Sequence, residues 1–155
     1  MDTNQDILTV PGRWDISYQY AAGITGSEFL RRLRDEKRVS GVRCPKCRRV
    51  ILPPRAFCDR CFVATEEWVD VGPRGVIESF TITTEPFLGL PEPPYAIAYV
   101  TLEGASTAMV NFVKGVDLSN IAEAAQRLAV GTRVKLGWAR RRKARITDFH
   151  YRLAR

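Results

Sequence analysis

Cys44-Pro45-Lys46-Cys47 and Cys58-Asp59-Arg60-Cys61 are two cysteine pairs, each with two intervening residues, and ten residues separate the pairs. A two-residue gap lets both thiolates of a pair turn toward one point, and two pairs supply the four sulfurs of a tetrahedral structural zinc site. The short spacing between the pairs is typical of a rubredoxin-like zinc ribbon, in which each pair lies at the turn of a small hairpin. We therefore predict that one structural Zn²⁺ ion is bound by Cys44, Cys47, Cys58 and Cys61.

The same four sulfurs leave two alternatives open. Two disulfides would need an oxidising compartment, whereas the first twenty residues lack the basic start and apolar run of a signal peptide. Iron also suits a tetrahedral set of sulfurs, and the sequence alone does not distinguish it from zinc. We expect reduced cysteines in a cytoplasmic protein.

The chain is basic, with 24 Lys and Arg against 17 Asp and Glu among 155 residues, for a net charge of +7. Residues 31–60 hold eleven Lys and Arg against three acids, residues 139–155 hold seven against one, and the remaining segments are acidic. Two basic patches indicate an anionic partner, such as nucleic acid, a phosphate-bearing ligand or an acidic protein surface. A solvated arginine-rich face is the alternative for each patch. No stretch approaches the ~20 apolar residues of a membrane span, so we expect no membrane partner.

The N-terminal segment has an apolar face, because Trp14, Ile16, Tyr18 and Tyr20 alternate with polar residues. This face either covers the protein's own ribbon or docks on another chain, since aromatic anchors are enriched at interfaces.

A helix is expected next. Thr25 and Glu28 match a capping box, Phe29, Leu30 and Leu33 form an apolar stripe, and Gly41 is expected to end the helix. Its opposite face is strongly basic. The candidate partner-docking residues are therefore Trp14, Ile16, Tyr18, Tyr20, Phe29 and Leu33.

The second half of the chain has the pattern of a β-barrel that follows a turn cluster at Gly72-Pro73-Arg74-Gly75. Strands are predicted over 76–84, 95–102, 107–113, 132–138 and 146–153, with one alanine-rich helix over 117–128 that Gly131 ends. Three strands, a helix and two strands is the element order of a five-stranded OB-fold. The predicted fold is mostly β: an N-terminal arm and helix (1–40), a zinc ribbon (41–71) and an OB-fold (72–155).

Two unlike loops of this barrel are candidates for ligand binding, because OB-folds use the loops between strands 1 and 2 and between strands 4 and 5. The proline-rich first loop displays Phe87, Leu88 and Leu90, and the cationic second loop displays Arg141, Arg142 and Lys143. An apolar loop and a cationic loop suit a ligand with an apolar end and a phosphorylated end, such as an acyl group on coenzyme A.

Independent catalysis is not indicated. The single histidine, His150, lies in a predicted strand without a marked nucleophile partner, and no phosphate-cradling loop or hydrolase motif is present. A four-sulfur zinc site is closed, without the open position that catalysis requires.

The order of an N-terminal helix, Gly41-Val42-Arg43-Cys44-Pro45-Lys46-Cys47, Pro53-Pro54-Arg55 before Phe57-Cys58-Asp59-Arg60-Cys61, and an OB-fold resembles a known family. These are small zinc-ribbon/OB-fold proteins, long catalogued as a domain of unknown function with a proposed acyl-CoA-binding role. The resemblance extends from about Trp14 to Leu153. It implies a partner of a thiolase-superfamily chain, as in acetoacetyl-CoA synthesis, phloroglucinol acetylation, sterol side-chain cleavage or anaerobic aromatic degradation of the benzoylsuccinyl-CoA type.

We therefore expect a non-catalytic accessory subunit that docks on a catalytic thiolase chain and helps to bind the CoA ester. A single-stranded nucleic-acid-binding module and a free-standing acyl-CoA-binding scaffold are the alternatives.

Overall fold

The computed structural model describes residues 8–12, 16 and 18–154. Its elements are helix α1 (Gly23–Arg31) with a π-helical continuation (Arg32–Glu36), strands β1 (Val39–Arg43), β2 (Val50–Ile51), β3 (Glu67–Val71), β4 (Arg74–Thr83), β5 (Tyr95–Leu102) and β6 (Met109–Val113), helix α2 (Ile121–Arg127), strand β7 (Arg133–Trp138), a 3₁₀ turn (Ile146–Asp148) and strand β8 (Phe149–Leu153). Strands in the order β2-β1-β3 form an antiparallel sheet, and β4-β5-β6-β8-β7 close into a barrel. The predicted fold class is confirmed.

Within the described ranges, no helix has both the length and the apolar character needed to cross a membrane.

The start of α1 differs from the prediction. The N-cap residue is Ala22, which makes no side-chain capping bond, and Thr25 lies inside the helix. The predicted capping box is therefore wrong. Glu28 instead accepts a hydrogen bond from Arg32 Nε at 2.9 Å and pairs with Arg31 at 3.1 Å, because arginines one turn along the helix offer charged partners.

The helix also ends earlier than predicted. Its π-helical turn finishes at Glu36, and Lys37 adopts a left-handed conformation with φ of 53°. Gly41 lies inside β1, so its predicted role as a helix stop is wrong. A Cβ at this position would lie 2.8 Å from the Ile51 carbonyl oxygen, and the glycine is needed because β1 and β2 approach so closely.

The barrel closes through one parallel contact between β6 and β8, at Val113 and Tyr151. A parallel pairing needs a long crossover, and α2 and β7 supply it. The turn before the barrel is shorter than predicted, because Arg74 and Gly75 already belong to β4 and pair with β7.

Helix α2 is shorter than the predicted segment. It begins at Ile121, and its N-cap is Asn120, whose side chain accepts a hydrogen bond from Glu123 N at 3.2 Å. Asp117 instead accepts from Ser119 N at 3.0 Å in a separate turn. Both residues suit a cap, and the one nearer the helix takes that position.

The ribbon and the barrel share one apolar core. Leu33 and Leu52 from the N-terminal half are almost fully buried in the same cluster as Val100 and Tyr151 of the barrel. The Thr107 hydroxyl lies 2.7 Å from both the Leu52 N–H and the Leu52 carbonyl oxygen. These contacts tie the ribbon to the barrel, and the division of the chain near residues 40 and 71 stays a prediction.

Truncating Leu33 tests this shared core. Leu33→Ala should lower the free energy of unfolding by about 2–5 kcal/mol, because it leaves a cavity at a site that is 0% exposed. The matched control is Ile24→Ala on the same helix, where the side chain is 90% exposed and the expected loss is below about 0.5 kcal/mol. Urea denaturation measures both, and equal losses would contradict the shared core.

Candidate metal centre and ligand-binding surfaces

The two cysteine pairs have matching backbone conformations. In the first pair the Cys44 N–H donates to the Arg49 carbonyl at 2.9 Å, and the Arg48 N–H donates to the Cys44 carbonyl at 3.0 Å. The corresponding groups of the second pair are bonded in the same way, at 2.9 Å each. The residue after each pair, Arg48 or Phe62, is left-handed, with φ of 61° and 53°. This tight reversal turns both cysteines of each pair toward one point.

The four cysteine sulfurs meet at that point. Their Sγ atoms all lie within 4.8 Å of one another, and Cys47 Sγ is 3.8 Å from Cys58 Sγ. A tetrahedral zinc ion with Zn–S bonds of about 2.3 Å places its sulfurs about 3.8 Å apart. Cys44 and Cys58 are fully buried, and the other two are partly buried. The donor set and its spacing therefore fit a closed structural zinc site formed by all four predicted ligands.

The pKa values of the Cys44 and Cys61 thiols are shifted in opposite directions. Burial opposes ionisation of Cys44, but backbone N–H groups of Cys47 and Lys46 and its contacts with neighbouring sulfurs lower its pKa to about 6. Burial and contacts with the other three sulfurs raise the pKa of Cys61 to about 12. A divalent cation stabilises thiolates, so metal binding would release the protons that the thiols still carry.

The predicted apolar loop is exposed at its tip. Phe87, Leu88 and Leu90 are 60%, 98% and 47% exposed, in a turn closed by a bond from Leu90 N to the Phe87 carbonyl. These side chains are available to a ligand or a partner, but the chain itself buries none of them.

The predicted cationic loop is held by contacts with Asp148 and with the N-terminal helical segment. The buried carboxylate of Asp148 accepts hydrogen bonds from the backbone N–H groups of Lys143 and Arg145. Asp148 lies in the 3₁₀ turn Ile146–Asp148, where a strand was predicted. Arg142 Nε donates to the carbonyl of Arg34 at 2.6 Å, near the end of the N-terminal helical segment. The structure therefore joins this loop to that segment. A shared ligand between this loop and the apolar loop stays a prediction, as do the ligand roles of Arg141, Arg142 and Lys143.

The candidate docking residues divide into two groups. Ile16, Tyr18 and Tyr20 are 65–82% exposed, as a docking segment requires. Phe29 and Leu33 are at most 4% exposed in this chain's own core, so their proposed docking role is corrected: the apolar stripe of α1 packs on the ribbon and barrel. Trp14 lies outside the described residues.

Two adjoining cavities on the barrel are lined by residues that the sequence did not indicate as ligand-binding. An aromatic pocket of about 470 Å³ is bordered by His150, and a cationic cleft of about 300 Å³ lies beside it. The Nδ1 atom of His150 is buried without a hydrogen-bond partner among the described residues. Lys114, Arg127 and Lys135 of the cleft come from segments that are acidic overall, whereas Arg152 belongs to the basic segment 139–155, so segment composition did not indicate that these cations meet.

The fold and the metal centre define a class of protein: a four-cysteine zinc ribbon fused to an OB barrel. A model of the rubredoxin-like zinc ribbon domain of ChsH2 matches residues 31–67, and a model of its C-terminal OB-fold domain matches residues 68–139. Together the two matches cover most of the chain. The chain belongs to this ChsH2-type zinc-ribbon/OB-fold family, and the predicted resemblance is confirmed.

Solved structures agree with this fold. A DUF35-family protein of unknown function from Sulfolobus solfataricus is 21% identical with a TM-score of 0.62, over 85% of this chain and 87% of that one. A chain of the Ltp2-ChsH2(DUF35) aldolase is 22% identical with a TM-score of 0.59, over 82% of this chain and 93% of that one. No curated protein sequence matches.

Replacing one sulfur tests the metal centre. We expect one zinc per chain, and Cys58→Ser should lose it and unfold the ribbon, because three sulfurs with one hydroxyl bind zinc poorly. A colorimetric zinc assay with circular dichroism measures both effects. The control is Asp59→Ser, between two of the same ligands, where the exposed carboxylate forms ion pairs with Arg49 and Arg55. Zinc retained at full stoichiometry in Cys58→Ser would refute this ligand set.

Proposed function

We propose that this chain is a non-catalytic accessory subunit of a thiolase-type acyl-CoA acyltransferase complex in the cytoplasm. It docks on the catalytic thiolase chain and helps to bind the CoA ester. Membership of the ChsH2-type family carries this proposal. The paired name of the Ltp2-ChsH2(DUF35) aldolase supports a second, catalytic chain as the partner.

The use of the cysteines supports a non-catalytic role. All four cysteines of the sequence converge on the metal centre, so each thiol has a structural use. Thiolase chemistry needs a cysteine nucleophile, and a thiolate bound to a closed zinc site is not free to attack a thioester. The nucleophile therefore belongs to the partner.

The N-terminal arm supplies the surface for docking. Tyr18 and Tyr20 are 78% and 82% exposed, and their ring centroids lie 6.2 Å apart. Adjacent exposed aromatic rings are the anchors that protein interfaces bury in partner pockets. Because the helix's apolar stripe is already buried, the arm remains the apolar part of this region that a partner can cover.

The alternative of single-stranded nucleic-acid binding has less support. Such barrels combine aromatic residues with cations along the strands. Here β5 and β6 contain no lysine or arginine, and their partly or largely exposed side chains include Ile97, Tyr99, Val110 and Phe112. This apolar sheet face lacks the charge that follows a phosphate backbone.

Co-expression tests the proposed complex. The tagged chain should co-purify in a fixed ratio with a thiolase-like chain encoded beside it, and should raise that chain's turnover of an acyl-CoA. Size-exclusion chromatography and a thioester assay measure this. A chain that elutes alone and leaves the turnover unchanged would refute the proposal, and so would thioester turnover by the isolated chain.

The docking surface has its own test. Tyr18→Ala with Tyr20→Ala should weaken the partner's affinity at least about tenfold, because truncating aromatic anchors costs more than about 1 kcal/mol each. The control, Val130→Ala, removes an exposed apolar side chain elsewhere on the barrel. Titrating the partner over each immobilised variant measures these affinities. Equal affinities of the tyrosine variant and the Val130 control would exclude the arm as the docking surface.

A further inference from the structure

The cationic cleft gathers charges from four separate elements. Its lining includes a residue that follows β6, the last residue of α2, and one residue each from β7 and β8: Lys114, Arg127, Lys135 and Arg152. Among the described residues, no carboxylate forms an ion pair with any of them. Asp117 still interacts with one of them: its hydrogen bonds with Ser119, and then the charge of Arg127, lower the pKa of its carboxyl group. Without an ion pair, most of the cleft's positive charge remains available to an anion.

The basic cluster that dominates the sequence behaves differently. Eight of the eleven cations in residues 31–60 form ion pairs with neighbouring carboxylates. Such exposed pairs add little stability, but they balance the local charge. Of these two groups of cations, those of the cleft therefore have more charge available to bind an anion.

The fold holds two of these cations together at a cost. Lys135 and Arg152 are directly opposite each other in the antiparallel pairing of β7 and β8. Like charges at opposed positions destabilise a sheet. The Arg152 guanidinium also packs against Gly115. A Cβ added to this glycine would lie 3.7 Å from both Nε and Nη2 of Arg152. A bound anion would offset this repulsion.

The aromatic pocket adjoins the cleft, because Lys114 and Gly115 line both cavities. Tyr95, Phe112 and Phe149 line the pocket, and the rings of the first two pack edge to face with centroids 5.7 Å apart. Its volume of about 470 Å³ falls in the range of small-molecule sites. A flat, largely apolar ring fits such a lining.

The adjacency of the two cavities restricts the ligand. The apolar ring and the phosphates must be only a few bonds apart, as the base and phosphates are in a nucleotide. In an acyl-CoA, the acyl group is separated from the phosphates by the whole pantetheine arm, whereas the adenine is close to them.

We propose that the pocket and the cleft together bind the adenosine diphosphate end of a CoA ester, with adenine in the pocket and phosphates in the cleft. The choice of CoA rests on the proposed function. The thioester end then projects away from this chain, toward the subunit that carries the nucleophile. The site differs from the loop residues Phe87, Leu88, Leu90 and Arg141–Lys143 that the sequence favoured.

Isothermal titration of the zinc-loaded full chain separates the ligand's parts. CoA and benzoyl-CoA should bind within about threefold of each other, pyrophosphate at least about tenfold more weakly than ADP, and pantetheine without measurable affinity. CoA should bind at least as tightly as ADP. Benzoyl-CoA binding tenfold more tightly than CoA would place the acyl group in the pocket and overturn the proposal. ADP binding more tightly than CoA would overturn the assignment to CoA.

Two matched variants separate the cleft from general charge. Lys135→Gln with Arg152→Gln should weaken CoA binding at least about tenfold, since it removes two charge-assisted phosphate contacts. Arg141→Gln with Lys143→Gln removes the same charge from the exposed loop and should change affinity less than about twofold. Thermal melting of the cleft variant should show unchanged or higher stability, because the repulsion is relieved. Equal losses of CoA affinity in both variants would refute the site.

The single histidine gives an independent readout. Burial, and then the charges of Lys114 and Arg152, lower the pKa of His150. The pocket is also lined by one carboxylate, that of Glu92. Bound phosphates should raise that pKa, because a nearby anion favours the imidazolium. NMR titration with saturating ADP measures it, and an unchanged pKa would overturn the phosphate placement.

These outcomes are separable from those of the complex. A chain that binds CoA through the cleft but recruits no thiolase would retain this site and lose the proposed function. A working complex whose cleft variant binds CoA normally would support the proposed function and refute this site.

Discussion

The convergence of four sulfurs within 4.8 Å is the constraint on which the N-terminal half depends. Apart from the core shared with the barrel, the ribbon's own buried cluster consists of Val42, Cys44, Ile51 and Cys58, and two of these are themselves cysteines. So small a cluster cannot offset the entropy of ordering about thirty residues. Structural zinc sites contribute apparent binding energies on the order of 10–16 kcal/mol, and that energy is available for folding. A bound metal would therefore supply stability that the ribbon's own cluster lacks, and the two-residue strand β2 lies between the metal centre and the barrel.

The same strand connects the metal centre to the rest of the molecule. Its neighbour Leu52 is bonded twice to Thr107 on the barrel, and the core continues from the ribbon into the barrel without a gap. Ribbon, helix and barrel thus keep fixed relative positions. A rigid link of this kind suits an accessory subunit, because a surface for a partner and a site for a ligand can be presented at a constant separation. It also explains why the apolar stripe of the helix is unavailable to a partner.

Charge is arranged by the same tertiary contacts. In the N-terminal cluster, arginines meet carboxylates across the ribbon sheet, as Arg43 meets Glu67 at 2.9 Å. On the barrel, Lys135 and Arg152 occupy directly opposed positions of β7 and β8. A charge count by segment favours the first group, whereas pairing in three dimensions favours the second. The physical difference is that carboxylates in ion pairs neutralise the field around the first group, while among the described residues none forms an ion pair with the second.

How much the sequence could predict depended on whether the signal was local. The cysteine spacing determined the metal centre, and periodicity with turn residues determined the order of helices and strands, because a few neighbouring residues set both. Local signals gave wrong predictions where a residue had another interaction available. Glu28 pairs with two arginines instead of capping the helix, and Gly41 allows β1 and β2 to approach closely instead of ending the helix. The aromatic pocket and the cationic cleft were decided only by tertiary structure. The register of β7 with β8 and the parallel closure of β6 on β8 bring residues 114, 127, 135 and 152 together, and no spacing along the chain records that proximity.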